Sequence, residues 1–334
     1  MPEITKPQPL LDEKGNLKTR GYAKHMNFVY DKKFAKPSSR LKEWDFYQIH
    51  FDERYVLQLT LGHVSYAMQI SAVILDLETG TRRAINKVAP AKRSFKRKMP
   101  TNPEVAHALQ YFSKNIHVQF ETTDKYRHLS FTATDSKGIK AEINLMLTNV
   151  IKSKDKMVIA TPFAKRRQWY LNYKENCFVA NGSCRIEDVC LDVKDGFGVL
   201  DWGRGIWPYK HSWIWGNGGT VVNNKHFGFN IGWGFGNTEA ATENMFFYDN
   251  KAYKLGDVEE VKVGDNYRYQ DSDKRFVFDV EPIFDNFTKT KMLWVNNKCH
   301  QVFGKWSGHV VLDDGKTIDI PAFVAFCEHA DNKW

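Results

Sequence analysis

Apolar and polar residues alternate with period two through most of the chain, interrupted by short clusters of Asn, Asp, Gly and Pro. Such alternation marks half-buried strands, and those clusters mark reversals. Tyr55 to Leu61 and Met68 to Leu77 follow the pattern, and Glu78-Thr79-Gly80 turns the chain into Thr81 to Ile85. Ile116 to Phe120, Leu129 to Thr134 and Ile139 to Leu147 continue it, with Asp135-Ser136-Lys137-Gly138 placing glycine where a positive φ is expected. Cys177 to Leu191 reads as strands. The second half repeats the grammar: Trp207 to Trp215, Thr220 to Val222, Asn223-Asn224, His226 to Gly236, Met245 to Tyr248, Asp249-Asn250, Ala252 to Leu255 and Arg275 to Phe284. A meander closes the chain through Met292 to Val295, His300 to Lys305, His309 to Leu312, Asp313-Asp314-Gly315, Thr317 to Ile320 and Phe323 to Phe326. Helical spacing is confined to two short candidates, Pro103 to Phe112 and Thr238 to Asn244. Residues 87–103, with three prolines and six basic side chains, predict a loop.

Short strands joined by tight reversals favour closed or stacked sheets, because closure removes exposed strand edges. The predicted fold is all-β: two tandem antiparallel β-barrels or strongly curved sheets with few short helices. Residues 1–40 predict an arm laid over the body, 41–175 a first β-domain and 176–334 a second. The break is expected between Val150 and Asn181, although no clean linker marks it.

At 334 residues the chain can bury two cores without staples. Aromatic residues make up 14% of it, with 10 Trp and 23 Phe, so part of that area is expected to serve binding rather than packing. The net charge of +9 suits phosphate-bearing partners or an anionic membrane surface. Cys177, Cys184, Cys190, Cys299 and Cys327 are odd in number and form no Cys-x-x-Cys pair, which predicts reduced thiols, no zinc site and a cytoplasmic location. The N-terminus lacks the apolar core of a signal peptide, and no apolar run approaches the ~20 residues of a spanning helix.

If Trp207 to Trp215 is one strand, Trp207, Tyr209, His211, Trp213 and Trp215 share a face. That stripe is either a dense core seam or the wall of a pocket for something flat, greasy or cationic. From His226 to Gly236 one face carries Phe227, Phe229, Ile231, Trp233 and Phe235. The other carries His226, Gly228, Asn230, Gly232, Gly234 and Gly236, so another backbone, a bulky side chain or a ligand comes close there.

The string Phe197-Gly198-Val199-Leu200-Asp201-Trp202-Gly203-Arg204-Gly205, with Trp207-Pro208-Tyr209 and Trp213-Ile214-Trp215-Gly216, resembles the signature of the domain of unknown function 2804 family (DUF2804). So do Phe227-Gly228-Phe229-Asn230-Ile231-Gly232, Thr242-Glu243-Asn244, His300-Gln301-Val302-Phe303-Gly304, Pro9-Leu10-Leu11-Asp12 and Lys42-Glu43-Trp44-Asp45. More distantly, the chain is similar to the lipocalin-like group that includes carotenoid 1,2-hydratase, tocopherol cyclase and certain pericyclases. That likeness implies two calycin-type barrels in tandem with a greasy cavity for an isoprenoid or polyketide.

A hydratase, cyclase or isomerase of this kind would work without metal or redox cofactor, needing a protonated carboxyl and aromatic faces to steady a cation. Trp207, Tyr209, Trp213 and Trp215 could supply the faces, at roughly 0.5 to 2 kcal/mol per ring. Asp201, Glu243 and Glu328 are candidate acids, and His211 a proton relay. Arg204, Asn230, Asn244, His300 and Gln301 would add polar contacts to the ligand. Plainer accounts stand beside these: Asp201 paired with Arg204 at a turn, Glu243 at a helix start, His211 in a core, His300 and Gln301 bridging strands, Glu328 facing water. Two other functions stay open. A carrier of an apolar ligand would need no perturbed carboxyl, and a carbohydrate-active protein would set two carboxyls roughly 5 to 10 Å apart across a cleft. Residues 87–98 and Lys165-Arg166-Arg167 show no nucleic-acid reading motif; an anionic membrane surface is the partner that agrees with an apolar pocket.

Overall fold

In the computed structural model of the chain, which describes residues 1–292 and 295–334, the strands form two large curled antiparallel sheets and one short parallel pair. The arm contributes β1 (Gln8–Pro9), β2 (Gly21–Ala23) and β3 (Phe28–Val29); β1 pairs with β3, and β2 joins the first large sheet. It does more than lie over the body. Leu10, Leu11, Phe28 and Tyr30 are buried in the first sheet's core.

The first sheet opens with a meander of β4 (Lys42–Phe51), β5 (Tyr55–Val64), β6 (Ala67–Asp76) and β7 (Thr81–Pro90). After α1 (Arg93–Lys98) comes a second meander, β8 (His107–Phe112), β9 (Ile116–Thr122), β10 (Arg127–Thr134) and β11 (Lys140–Thr148). β12 (Met157–Pro162) follows, and then the long hairpin of β13 (Trp169–Ile186) and β14 (Val189–Ile206). This hairpin joins the two meanders, since β13 pairs with β11 and β14 with β4.

The second sheet runs through β15 (Lys210–Val222), β16 (Lys225–Trp233), β17 (Met245–Tyr248), β18 (Lys251–Lys254), β19 (Val258–Val263) and β20 (Asn266–Asp271). β21 (Phe276–Met292), β22 (Val295–Val311) and β23 (Thr317–Lys333) complete it, and β23 returns to pair with β15. The strand expected over Met292 to Val295 falls partly on positions 293 and 294, outside the described residues.

The turn chemistry read from the sequence is present. Gly80, Gly138 and Gly315 have φ of +65°, +84° and +83°, and Asn223, Asn224, Asp249 and Asn250 are also left-handed. Both helix expectations fail: residues 107–112 form a strand, and 238–244 contain no helix. The α-helix lies instead within the expected loop, because Phe95 and Met99, four apart, bury one side of a basic turn. The change of sheet also comes later than 150–181. β13 and β14 remain in the first sheet, and the chain crosses between Ile206 and Lys210.

Each sheet curls around its own core. Tyr47, Ile49, Leu200, Trp202 and Tyr173 point into the first, and Phe227, Phe229, Ile231, Ala325 and Cys327 into the second. By strict alternation their neighbours point out, and the outer faces pack on each other: Trp215, Phe303, Val324 and Phe326 meet Phe46, Val56 and Val73.

Candidate functional site

That seam is not filled completely. A cavity of about 250 Å³ remains between the sheets, far more than the space of one water. The first sheet lines it with Trp44, Phe46, Tyr170, Lys174 and Asp201; the second contributes Trp213, Trp215, Gly232, Phe235, Glu243 and Glu328. The cavity therefore lies between the two curled sheets rather than inside a barrel, as the tandem-barrel likeness implied. The reason is parity: Trp213 and Trp215 occupy the outer face of β15, whose inner face serves the second core.

At its floor Lys174 extends from β13, buried, with its ammonium 3.5 Å from Asp201 Oδ1 and 3.4 Å from Glu243 Oε2. The same nitrogen stands 3.6 Å from the centre of the Trp215 ring. Asp201 lies directly across the ladder from Lys174, and takes hydrogen bonds from Asn172 Nδ2 (2.6 Å) and Trp44 Nε1 (3.2 Å). Gly203 makes this possible, because a Cβ there would sit 2.1 Å from the Trp44 ring. Asn230 Oδ1 accepts from Trp215 Nε1 (2.7 Å), and its Nδ2 donates to the Glu243 backbone (3.0 Å) and carboxylate (3.3 Å). Gly232 faces the Glu243 carboxylate, so one side of the glycine face opens on the cavity; at Gly228 the near neighbour is instead the Cys177 sulfur.

Glu328 occupies the outer face of β23. Its Oε1 accepts from Trp213 Nε1 (2.7 Å) and its Oε2 from Gln301 Nε2 (3.2 Å). Burial pushes its carboxyl up to about 7; the Trp213 hydrogen bond and the charge of Lys174 oppose the rise, and Asp201 adds to it. Glu243 is raised as well, by burial first and by Asp201, against the pull of Lys174. One ammonium thus serves three buried carboxyls, and the arrangement favours holding a proton on the acid that Lys174 does not touch.

The predicted site residues divide. Asp201, Glu243, Trp213 and Trp215 line the cavity together with Glu328. Asn230 stands behind them, and Gln301 supports Glu328. Arg204 does not join Asp201: three positions along one strand they face opposite ways, and Arg204 is buried in the first core against Asp45 (2.8 Å), Glu43 (3.4 Å) and the Trp202 ring. Trp207 and Tyr209 are not on β15. Trp207 fills the corner between the sheets against Trp44, Tyr170 and Trp334, and Tyr209 is 44% exposed, because Pro208 interrupts the ladder. His211 stacks on Trp213, and its Nδ1–H donates to Pro208 O (3.0 Å); burial lowers its pKa to about 4, so it is a neutral packing group. Asn244 bridges the Gly232 N–H and Gly256 O, and His300 pairs with Asp285 on the outside. Lys174 already covers one face of Trp215, which closes that face to a substrate cation.

Sequence reasoning missed Lys174. Its signal was the polar series Asn172, Lys174, Asn176 at period two within an apolar strand, which sets three polar groups on the face turned to the second sheet. Among the described residues, Glu260, Cys327 and His329 bring their ligand atoms within 4.8 Å of one another. Glu260 there takes hydrogen bonds from Tyr269 (2.6 Å) and pairs with His329 (2.9 Å), so the group is satisfied internally.

Comparison with known proteins bears on the fold. A protein assigned as AttH from Nitrosomonas europaea superposes with a TM-score of 0.52 at 10% identity, covering 87% of this chain and 92% of that one. CghA, crystallised with Sch210972, gives 0.52 at 9% identity over 97% of both chains. A kievitone hydratase from Nectria haematococca gives 0.49 at 10% identity over 98% of both. The first two show that this two-sheet architecture is shared at very low identity, which establishes fold and not activity. No curated protein sequence matches the chain. The chain belongs to the family described as Domain of unknown function (DUF2804), which it matches over residues 1–334.

Proposed function

We propose that the chain binds a flat, largely apolar small molecule between its sheets and uses Glu328 as a general acid on it, driving hydration, cyclisation or isomerisation. The observation that carries this reading is a buried carboxyl with a pKa of about 7 that lines an aromatic cavity. An acid of that strength is effective near neutral pH on polarised groups, such as a carbonyl or a double bond conjugated to one. It is poorly matched to an isolated hydrocarbon alkene, and the Trp215 face is already taken by Lys174. An oxygenated, polyketide-like guest therefore fits better than a plain isoprenoid. Lys174 would donate to its oxygen, and Trp44, Trp213 and Phe235 would hold its rings.

The carrier reading uses the same cavity and requires nothing of Glu328. The carbohydrate reading loses support, because Asp201 and Glu243 hold one ammonium instead of flanking an open cleft.

Glu328→Gln separates acid chemistry from carriage. The folded pKa of about 7 is above the usual 4.5, so the proton stabilises the native state fully below pH 4.5, and that stability is lost as pH rises through about 7. Wild type should therefore fall behind Glu328→Gln across this window, by about 3 kcal/mol at its upper end. The infrared band of the protonated acid should vanish in the variant, which should keep its guest and lose turnover. Equal pH profiles for the two proteins would count against the acid.

A further inference from the structure

Two basic segments far apart in sequence lie at the same end of the first sheet. Lys42 at the start of β4 lies opposite Val64 on one side and Gly205 on the other, Trp169 lies opposite Ile206, and Ala67 opposite Pro90. The Ser65-Tyr66 turn, the entry to α1 and the loop before β13 therefore share that end. Lys92, Arg93, Arg97 and Lys98 on or beside α1, and Lys165, Arg166 and Arg167 in the loop, are exposed. No Asp or Glu occurs within residues 79–103 or 156–174, and none of these seven side chains has a carboxylate partner among the described residues.

Both segments touch the cavity wall. The Ala91 N–H donates to Tyr66 O (2.8 Å), beside Val64 and Gln69, which line the cavity. In the other segment Phe163 packs its ring 5.0 Å from that of Phe235, also a cavity residue. Val88, directly opposite Gln69 and so on the same face, is 63% exposed, and Tyr66 is 49% exposed.

We propose that this end of the first sheet docks on an anionic phospholipid surface. The basic side chains would lie on the headgroups and Val88 and Tyr66 at the interface, with the cavity mouth turned to the bilayer that supplies its guest. The proposal rests on the reading of the seam as a guest cavity. A polynucleotide would match the charge, but would have no use for exposed apolar side chains at the rim of a greasy cavity. Lysine and arginine near an anionic surface act additively and are screened by salt.

The test is co-sedimentation with vesicles of phosphatidylcholine alone and of phosphatidylcholine with phosphatidylserine, at low and high salt. Wild type should bind only the anionic vesicles and release them in salt. The variants K92E/R93E/R97E/K98E and R166E/R167E should each bind at least about tenfold more weakly. Binding alike to both vesicle types, retention by both variants, or preference for single-stranded RNA over anionic vesicles would each overturn the proposal. A soluble fluorescent apolar probe keeps the two readings apart. The charge variants should still take it up, whereas failure of wild type to take it up would remove the cavity reading instead.

Discussion

Lys174 decides the electrostatics of the seam. Removing its ammonium would leave Asp201 and Glu243 buried within reach of each other without a counter-charge, a loss that typically costs about 3 to 5 kcal/mol. Lys174→Met should therefore melt far below wild type near neutral pH and recover on acidification, as the carboxyls take up protons. The triple variant K174M/D201N/E243Q should regain most of the loss at pH 7. Denaturant melts at two pH values check this, and a Lys174→Met protein as stable as wild type would mean that the three charges are not coupled. None of this was legible in Asp201 or Glu243 alone. Each sat in a recognisable aromatic string, but the cation between them came from residues 169–176, to which the sequence reading assigned no element.

Among the elements, the hairpins were the most readable, because their signal is local: Asn223-Asn224 and Asp249-Asn250 tolerate the left-handed backbone that two-residue turns require. β15 was less so. The aromatic run from Trp207 to Trp215 alternates without a break in sequence, yet Pro208 ends one sheet and the next strand starts at Lys210. The β4–β14 ladder shows how a neighbour sets a residue's identity, since Gly203 is the floor on which the Trp44 indole lies before it reaches Asp201. Gly203→Ala should displace that ring and lower stability by about 1 to 3 kcal/mol. It should also change Trp fluorescence, whereas Gly264→Ala, at an open turn with nothing near its Cβ position, should leave the fluorescence unchanged.

At the scale of the molecule, period two tells which residues share a face, not which face is inside. The all-β, two-sheet plan followed from strand number and turn spacing. The placement of the cavity did not, because it depends on two outer faces meeting across a seam between strands remote in sequence. The sheet assignment makes a prediction of its own. A fragment ending at residue 175 lacks β14, the only strand among the described residues that connects β13 to β4, and should not fold. A fragment ending at residue 208 retains the whole first sheet and should show the β-sheet circular dichroism and cooperative melting that the shorter one lacks.

The proposed function stands or falls on whether the seam admits a guest beside Glu328. Native mass spectrometry of freshly purified protein, run beside Gly232→Leu, addresses it directly: the added side chain would project toward Glu243 into the cavity. Wild type should carry a bound apolar molecule of defined mass, and a folded Gly232→Leu protein should lack it. Wild type that carries nothing and takes up no apolar probe, or a variant that carries the same mass, would contradict the proposed function.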